Sequence, residues 1–236
     1  MIKGGEFLIK DQEAKDIFIP EEFGEDQLMM ASATKEFVEK ELNPHRERFE
    51  KKDYKLTENC MKKAGELGLL GISVPAEYGG MGMPFNTSVL ICDKISGANG
   101  SFSTAFGAHT GIGTLPILLY GDDTQRTKYL PKLATGEWMG CYCLTEPGAG
   151  SDANSGKTKA VLTYDGKHYL ITGQKMWISN AGFADVFIVF ARIEDDKNIT
   201  GFILEKGMEG ITLGEEEHKL GLNSSSTRQV FFNDVK

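Results

Sequence analysis

The residues Cys143–Asp152, CLTEPGAGSD, and further along Lys175–Gly182, KMWISNAG, decide how this chain is read. In the first stretch a strand ends in a turn. Gly148 and Gly150 permit close approach of the backbone to a ligand, and Thr145 and Ser151 supply hydroxyl donors. In the second, Trp177 is followed by Ile178, Ser179 and Asn180 at what reads as the end of the next strand. Taken singly, each has a bland reading: loop chemistry for the turn and a core side chain for the tryptophan. Glu146 and Asp152 tempt as acid/base groups, but a turn-capping role suits both better.

Outward from this stretch the chain divides by period. From Glu25 to Leu133 apolar residues recur at helical spacing. The first helix carries Leu28, Ala31, Phe37, Val38 and Leu42 up to Pro44, and the second runs from Thr57 as N-cap through Met61, Ala64 and Leu67 to Gly68. A third follows Asn86, and Ser101–Leu119, apolar and almost uncharged, predicts a helix buried on several sides and bent near Pro116. The last opens at Asp122, with Gln125 as its capping-box partner. After Gly136 the runs shorten to a period near two. They cover 160–164 and 168–172 around the turn Asp165-Gly166, then 186–192, 201–205 and 229–232. The expectation is an α+β chain: an all-α helical domain over 1–136, with a leading extended segment 1–24, then an antiparallel β-barrel or sandwich domain over 137–236.

A net charge of -8 and a pI near 5.1 argue against a nucleic-acid partner. No apolar run approaches the ~20 residues of a membrane helix, and the opening residues form no signal-peptide core. Cys60, Cys92, Cys141 and Cys143 make no CxxC pair, and the histidines lack ligand spacing, so no metal site is expected. Cys141 and Cys143 should share one face of a strand as small core residues. The glycines at 79–82 and 107–113 fit neither the dinucleotide-binding fingerprint nor the P-loop.

Together with CLTEPGAGSD and KMWISNAG, the ordered motifs LGLLGISVPAEYGGMG (67–82), KYLPKLATGE (128–137), TGFILEKG (200–207) and KLGLNSSSTRQVFFNDV (219–235) resemble acyl-CoA dehydrogenases over almost the whole chain. The likeness is nearest to the long-chain and very-long-chain branch. It implies FAD as cofactor, an acyl-CoA substrate oxidised to a trans-2-enoyl-CoA in fatty-acid β-oxidation, an electron-transferring flavoprotein as acceptor, and a homodimer or homotetramer. Tyr142, Leu144 and Thr145 would then line one side of the isoalloxazine, and Gly150 and Ser151 would meet the pyrophosphate. Trp177, Ile178 and Ser179 would cover the ring, with the Ser179 hydroxyl on the flavin N5. Ser151 would also face the pantetheine of CoA. Thr104, Ala105, Gly107 and Ala108 resemble the family's acyl-pocket wall, and their small size predicts long acyl chains, with the direction of Phe106 left open. The resemblance nominates no catalytic residue here, because the family's base is a Glu of a C-terminal helical domain, expected beyond Lys236. The 236 residues alone are therefore expected to be inert and to hold FAD weakly. The location implied is the cytoplasm in a bacterium or the mitochondrial matrix in a eukaryote. Two alternatives share the fold: an assembly or scaffold protein with little turnover, and a flavin monooxygenase or nitroalkane oxidase.

Overall fold

In a computed structural model, which describes residues 4–236, seven α-helices precede seven strands. The leading segment, expected to be extended, carries three single turns of 3-10 helix at Gly4–Leu8, Ala14–Asp16 and Pro20–Glu22. Backbone caps close the last two, Ile17 N–H donating to Ala14 O and Phe23 N–H to Pro20 O at 3.3 Å each, and Ile19 N–H also donates to the Glu22 carboxylate at 2.8 Å.

Helix α1 (Glu25–Phe37) opens at Gly24, whose N–H donates to Gln27 Oε1 at 3.0 Å. Its buried stripe of Met30, Ala31, Thr34 and Phe37 has helical spacing, and a π turn at Val38–Leu42 carries it to Pro44. After the short α2 (Arg46–Glu50), α3 (Tyr54–Glu66) starts one turn earlier than the pattern predicts. Asp53 is the N-cap, accepting from Leu56 N at 3.0 Å, and Thr57 is buried, its hydroxyl donating to the Ser224 carbonyl at 3.0 Å. Gly68, at φ 76, ends that segment in the left-handed conformation only glycine adopts without strain. Next come α4 (Phe85–Ser96) and α5 (Gly100–Gly107), capped by Asn99, and then a π turn at Ala108–Gly113. Helix α6 (Leu115–Tyr120) resumes with Pro116 in its first turn, where a missing N–H is tolerated, so the break precedes the proline rather than following it. Helix α7 (Asp123–Thr135) has the expected Asp122–Gln125 capping box.

The strands are β1 (Gly140–Cys143), β2 (Lys159–Leu162), β3 (Tyr169–Ser179), β4 (Val186–Ile193), β5 (Thr200–Glu205), β6 (Ile211–Glu216) and β7 (Thr227–Val235). They form one curved sheet in the order β1-β4-β2-β3-β7-β6, with β5 on the other edge of β4. Most pairs are antiparallel as expected, but β4 runs parallel to β1 and, at Arg192 and Ile193, to β2. A parallel neighbour needs a long crossover, and the β2–β3 hairpin lies within the crossover between β1 and β4.

Cys141, Ile171, Phe187 and Val230 fill the sheet's interior, and Phe49, Met61, Ile91 and Phe102 the helical core. A third layer, with Ile117, Leu130, Leu133 and Ile188, joins α6 and α7 to β4. The two halves touch closely where Gly113 meets Gly140: a Cβ on either would lie about 3 Å from the other's backbone.

Candidate functional site

Strand β1 sets the site by alternation. Cys141 and Cys143 face inward with their sulfurs 3.9 Å apart, and Tyr142 turns to the opposite face, its ring 5.0 Å from that of Phe190. Burial pushes the Cys141 thiol well up, so it is unreactive packing.

Beyond β1 the chain folds back on itself: Glu146 and Ala149 exchange backbone hydrogen bonds of 3.0 and 3.1 Å around Pro147-Gly148. The Glu146 carboxylate points into the protein and accepts from Lys157 N (2.5 Å), Thr158 N (3.0 Å) and Lys175 Nζ (2.7 Å). Lys175 Nζ donates as well to the Leu144 carbonyl at 3.0 Å, and both side chains are buried. Burial alone would raise the Glu146 pKa, but the bonds from Lys175, Thr158 and Lys157 outweigh it and hold the carboxyl below its ordinary value. Burial pulls the Lys175 ammonium down and Glu146 opposes that pull, so the pair is an ionised anchor. Glu146 therefore caps and fixes the turn, as expected of it. Asp152 does not: its side chain is exposed, and only its carbonyl serves, accepting from Ser155 Oγ at 2.7 Å.

The second motif lies directly beside this turn. Met176 N donates to the Thr145 carbonyl at 3.0 Å, which places Leu144 and Thr145 against the end of β3. The pairing of β3 with β7 slips between Lys175 and Ile178, and at this irregularity Trp177 has φ 58 and stands 60% exposed. A left-handed backbone is costly for a bulky residue, and such strain gathers at ligand sites. Ser179 is half-buried opposite Thr227. Ile178 departs from expectation: its side chain packs into the sheet's interior, so only its backbone can meet a ring lying on Trp177. Gly150 and Ser151 are exposed in the loop that follows, and a Cβ on Gly148 or Gly150 would meet nothing within 4 Å. An open turn with donors beside an outward-facing indole fits the flat flavin and pyrophosphate that the resemblance implies.

An apolar cavity of about 230 Å³ lies between residues 69–74, α4 and α5. Leu70, Ile72, Val89, Phe106, Gly107 and Gly111 are among its walls, and a Cβ at Gly107 or Gly111 would project into open space. Of the residues expected to wall an acyl pocket, Gly107 lines this cavity, and Phe106, whose direction was open, forms part of its wall. Thr104, Ala105 and Ala108 do not line it. Thr104 Oγ1 is turned back to the Gly100 carbonyl at 2.9 Å, and Ala105 and Ala108 are buried.

Three residues at the site went unassigned from sequence: Lys175, Asn180 and His109. Asn180 left a signal, since an asparagine closing a strand is a residue type that tolerates positive φ, here 68. His109 is fully buried between Leu133 O (Nε2, 2.9 Å) and Gly140 N (Nδ1, 3.0 Å), and burial lowers its pKa to about 4, against a smaller upward pull from the Leu133 carbonyl. It is a neutral imidazole, donating through Nε2 and accepting at Nδ1. Among the described residues no group of His, Cys, Asp and Glu is placed to hold a metal, and no helix is long and apolar enough to cross a membrane.

Two family models match the chain: acyl-CoA dehydrogenase N-terminal domain over residues 24–137, and acyl-CoA dehydrogenase middle domain over 141–235. A probable acyl-CoA dehydrogenase of Bacillus subtilis is 47% identical over 234 residues, 99% of this chain and 39% of that protein. The human mitochondrial very long-chain specific acyl-CoA dehydrogenase is 45% identical over 180 residues, 72% of this chain and 27% of its own length. The crystal structure of a Bacillus anthracis acyl-CoA dehydrogenase complexed with FAD superposes with a TM-score of 0.94 at 45% identity, over 100% of this chain and 41% of that one.

Proposed function

Because the chain belongs to the acyl-CoA dehydrogenase family, we propose that it supplies the flavin-holding and acyl-holding walls of an FAD-dependent enzyme that converts acyl-CoA thioesters to trans-2-enoyl-CoA. The observation that carries this is the strained, exposed Trp177 held beside Thr145 and the open turn at Gly148–Ser151. Bound FAD would accept the two electrons and the β-hydrogen of the substrate. Leu144, Thr145, Trp177 and Ser179 would bind and orient its ring, and the Ser179 hydroxyl would be a donor toward N5. Gly150 and Ser151 would meet the pyrophosphate, with Ser151 also facing pantetheine. Tyr142 would back the ring from the Phe190 side.

The base for the α-proton is not found in the turn, because Glu146 is already occupied by three donors and buried. In this reading it comes from the rest of the protein, since the chain spans only 39% of the Bacillus subtilis relative and 41% of the Bacillus anthracis enzyme. An electron-transferring flavoprotein as acceptor, a homodimer or homotetramer, a role in β-oxidation and a cytoplasmic or matrix location complete the proposal.

The test is FAD content of the full-length protein. Trp177→Ala and Ser151→Ala should each lower occupancy while the circular dichroism of the β half is unchanged, and full occupancy in both would refute the assignment. Chain length is a second expectation. Each methylene drawn into the cavity is worth ~0.8 kcal/mol, so kcat/KM should rise gradually with acyl length. Gly107→Leu would fill open space and move the optimum to shorter chains, whereas an unchanged profile would place the acyl chain elsewhere.

A further inference from the structure

Where the flavin-side strand ends, one side chain reaches across to the helix that walls the cavity. Asn180, fully buried, donates from Nδ2 to the carbonyl of Ala105 at 2.9 Å and toward that of Gly140 at 3.4 Å. Its backbone is fixed too: its N–H donates to Ser226 O at 2.9 Å, and its own carbonyl accepts from Phe183 N and Ala184 N at 3.0 and 2.8 Å. Ala105 immediately precedes Phe106 and Gly107 of the cavity wall, and Asn180 immediately follows Ser179.

The other half of Gly140 is held from the same side. Its N–H donates to His109 Nδ1 at 3.0 Å, and His109 Nε2 donates to Leu133 O at 2.9 Å, at the end of α7. The Gly113–Gly140 contact leaves no slack between the backbones there. Asn180 occupies this junction with a left-handed backbone and with Oδ1 buried without a partner. Buried acceptors are nearly always satisfied, so an orphan beside a ligand-facing strand points to a role other than packing.

We infer that Asn180 is a positioning residue that couples the flavin-facing end of β3 to α5, so that ordering of one wall is transmitted to the other. The inference rests on the reading of Trp177–Ser179 as the flavin face. A ligand that stills Trp177 and Ser179 would also still Asn180, and through its amide the Ala105 carbonyl next to the cavity wall.

Hydrogen exchange on the full-length protein, with and without FAD, tests this directly. In the wild type FAD should slow exchange of the α5 amides about fivefold, the worth of roughly one hydrogen bond. Asn180→Gly keeps the left-handed backbone and removes the amide; in it FAD should still bind, but α5 should no longer respond. Asn180→Ala, which also removes the donor and adds no charge, should behave the same way and serves if the glycine variant does not fold. Ile171→Val, which loosens the sheet core away from the junction, should leave the α5 response intact. In anaerobic turnover the preference for long over short acyl-CoA should fall about fivefold in both Asn180 variants. An α5 that responds to FAD equally in wild type and variants, or that ignores FAD in the wild type, overturns the inference. Should acyl-CoA fail to reduce the wild-type flavin, the dehydrogenase reading fails while the exchange comparison still decides the coupling.

Discussion

The turn of residues 144–149, proposed as the flavin wall, and the helical segment of residues 105–113, proposed as the acyl wall, are held by different forces. Charge holds the turn: Glu146 and Lys175 meet at 2.7 Å with almost no solvent, and backbone donors complete the carboxylate. The helical segment is held by packing and by neutral hydrogen bonds, those His109 accepts from Gly140 N and donates to Leu133 O and that from Asn180 to Ala105 O, with glycines lining a cavity. A buried ion pair tolerates little displacement, because its energy falls steeply once either ion loses its partner. Neutral contacts deform at lower cost. In the proposed reading, the wall for a ligand of fixed shape would thus be rigid, and the wall for a chain of variable length would be built with space.

Breaking the charged wall should have the largest effect. Lys175→Met leaves Glu146 buried without its cation and should cost about 3–5 kcal/mol in urea unfolding, with FAD content falling in parallel. A loss below about 1 kcal/mol would show that Glu146 is not ionised there. The helical wall should instead show its weakness in mild acid. The His109 pKa falls from 6.5 to about 4 on folding, so between those values the unfolded chain binds a proton that the folded chain does not. Its contribution is complete above pH 6.5 and is lost as pH falls toward 4, about 3 kcal/mol in all. His109→Gln should flatten stability over that window, and an unaltered slope would assign the acid sensitivity elsewhere. The Glu146 carboxyl, held below its ordinary value, should add its loss only at lower pH still. Asp122→Ala, which removes the α7 cap outside both walls, should cost ~1 kcal/mol in thermal unfolding and leave FAD content untouched.

Much of this was legible in the sequence, for identifiable reasons. The switch of period after Gly136, the Asp122–Gln125 box and the Gly68 terminus are local signals, and each appears in the structure. Thr57 reads as a cap locally, but its hydroxyl is spent on Ser224, far away in sequence. Strand β6 carries no clear local signal: in ITLGEE a glycine and two glutamates interrupt the alternation. Strand β3 reads short for a related reason, since a lysine at a buried position hides the inward face until its partner Glu146 is known. The proximity of the two decisive motifs follows from resemblance, but the side chains that join them, Lys175 and Asn180, act through tertiary contacts that no local pattern encodes.

The chain has two tryptophans, and the fold treats them oppositely. Trp138 is half-buried against Tyr129, with the Lys132 ammonium 3.9 Å from its ring centroid, whereas Trp177 stands in solvent at the lip of the open turn. Indole emission shifts to the red with exposure and is quenched by energy transfer to a neighbouring yellow chromophore. Substituting Trp138→Phe would leave one emitter, placed where the cofactor is expected to land, so the protein carries an optical gauge of its own loading.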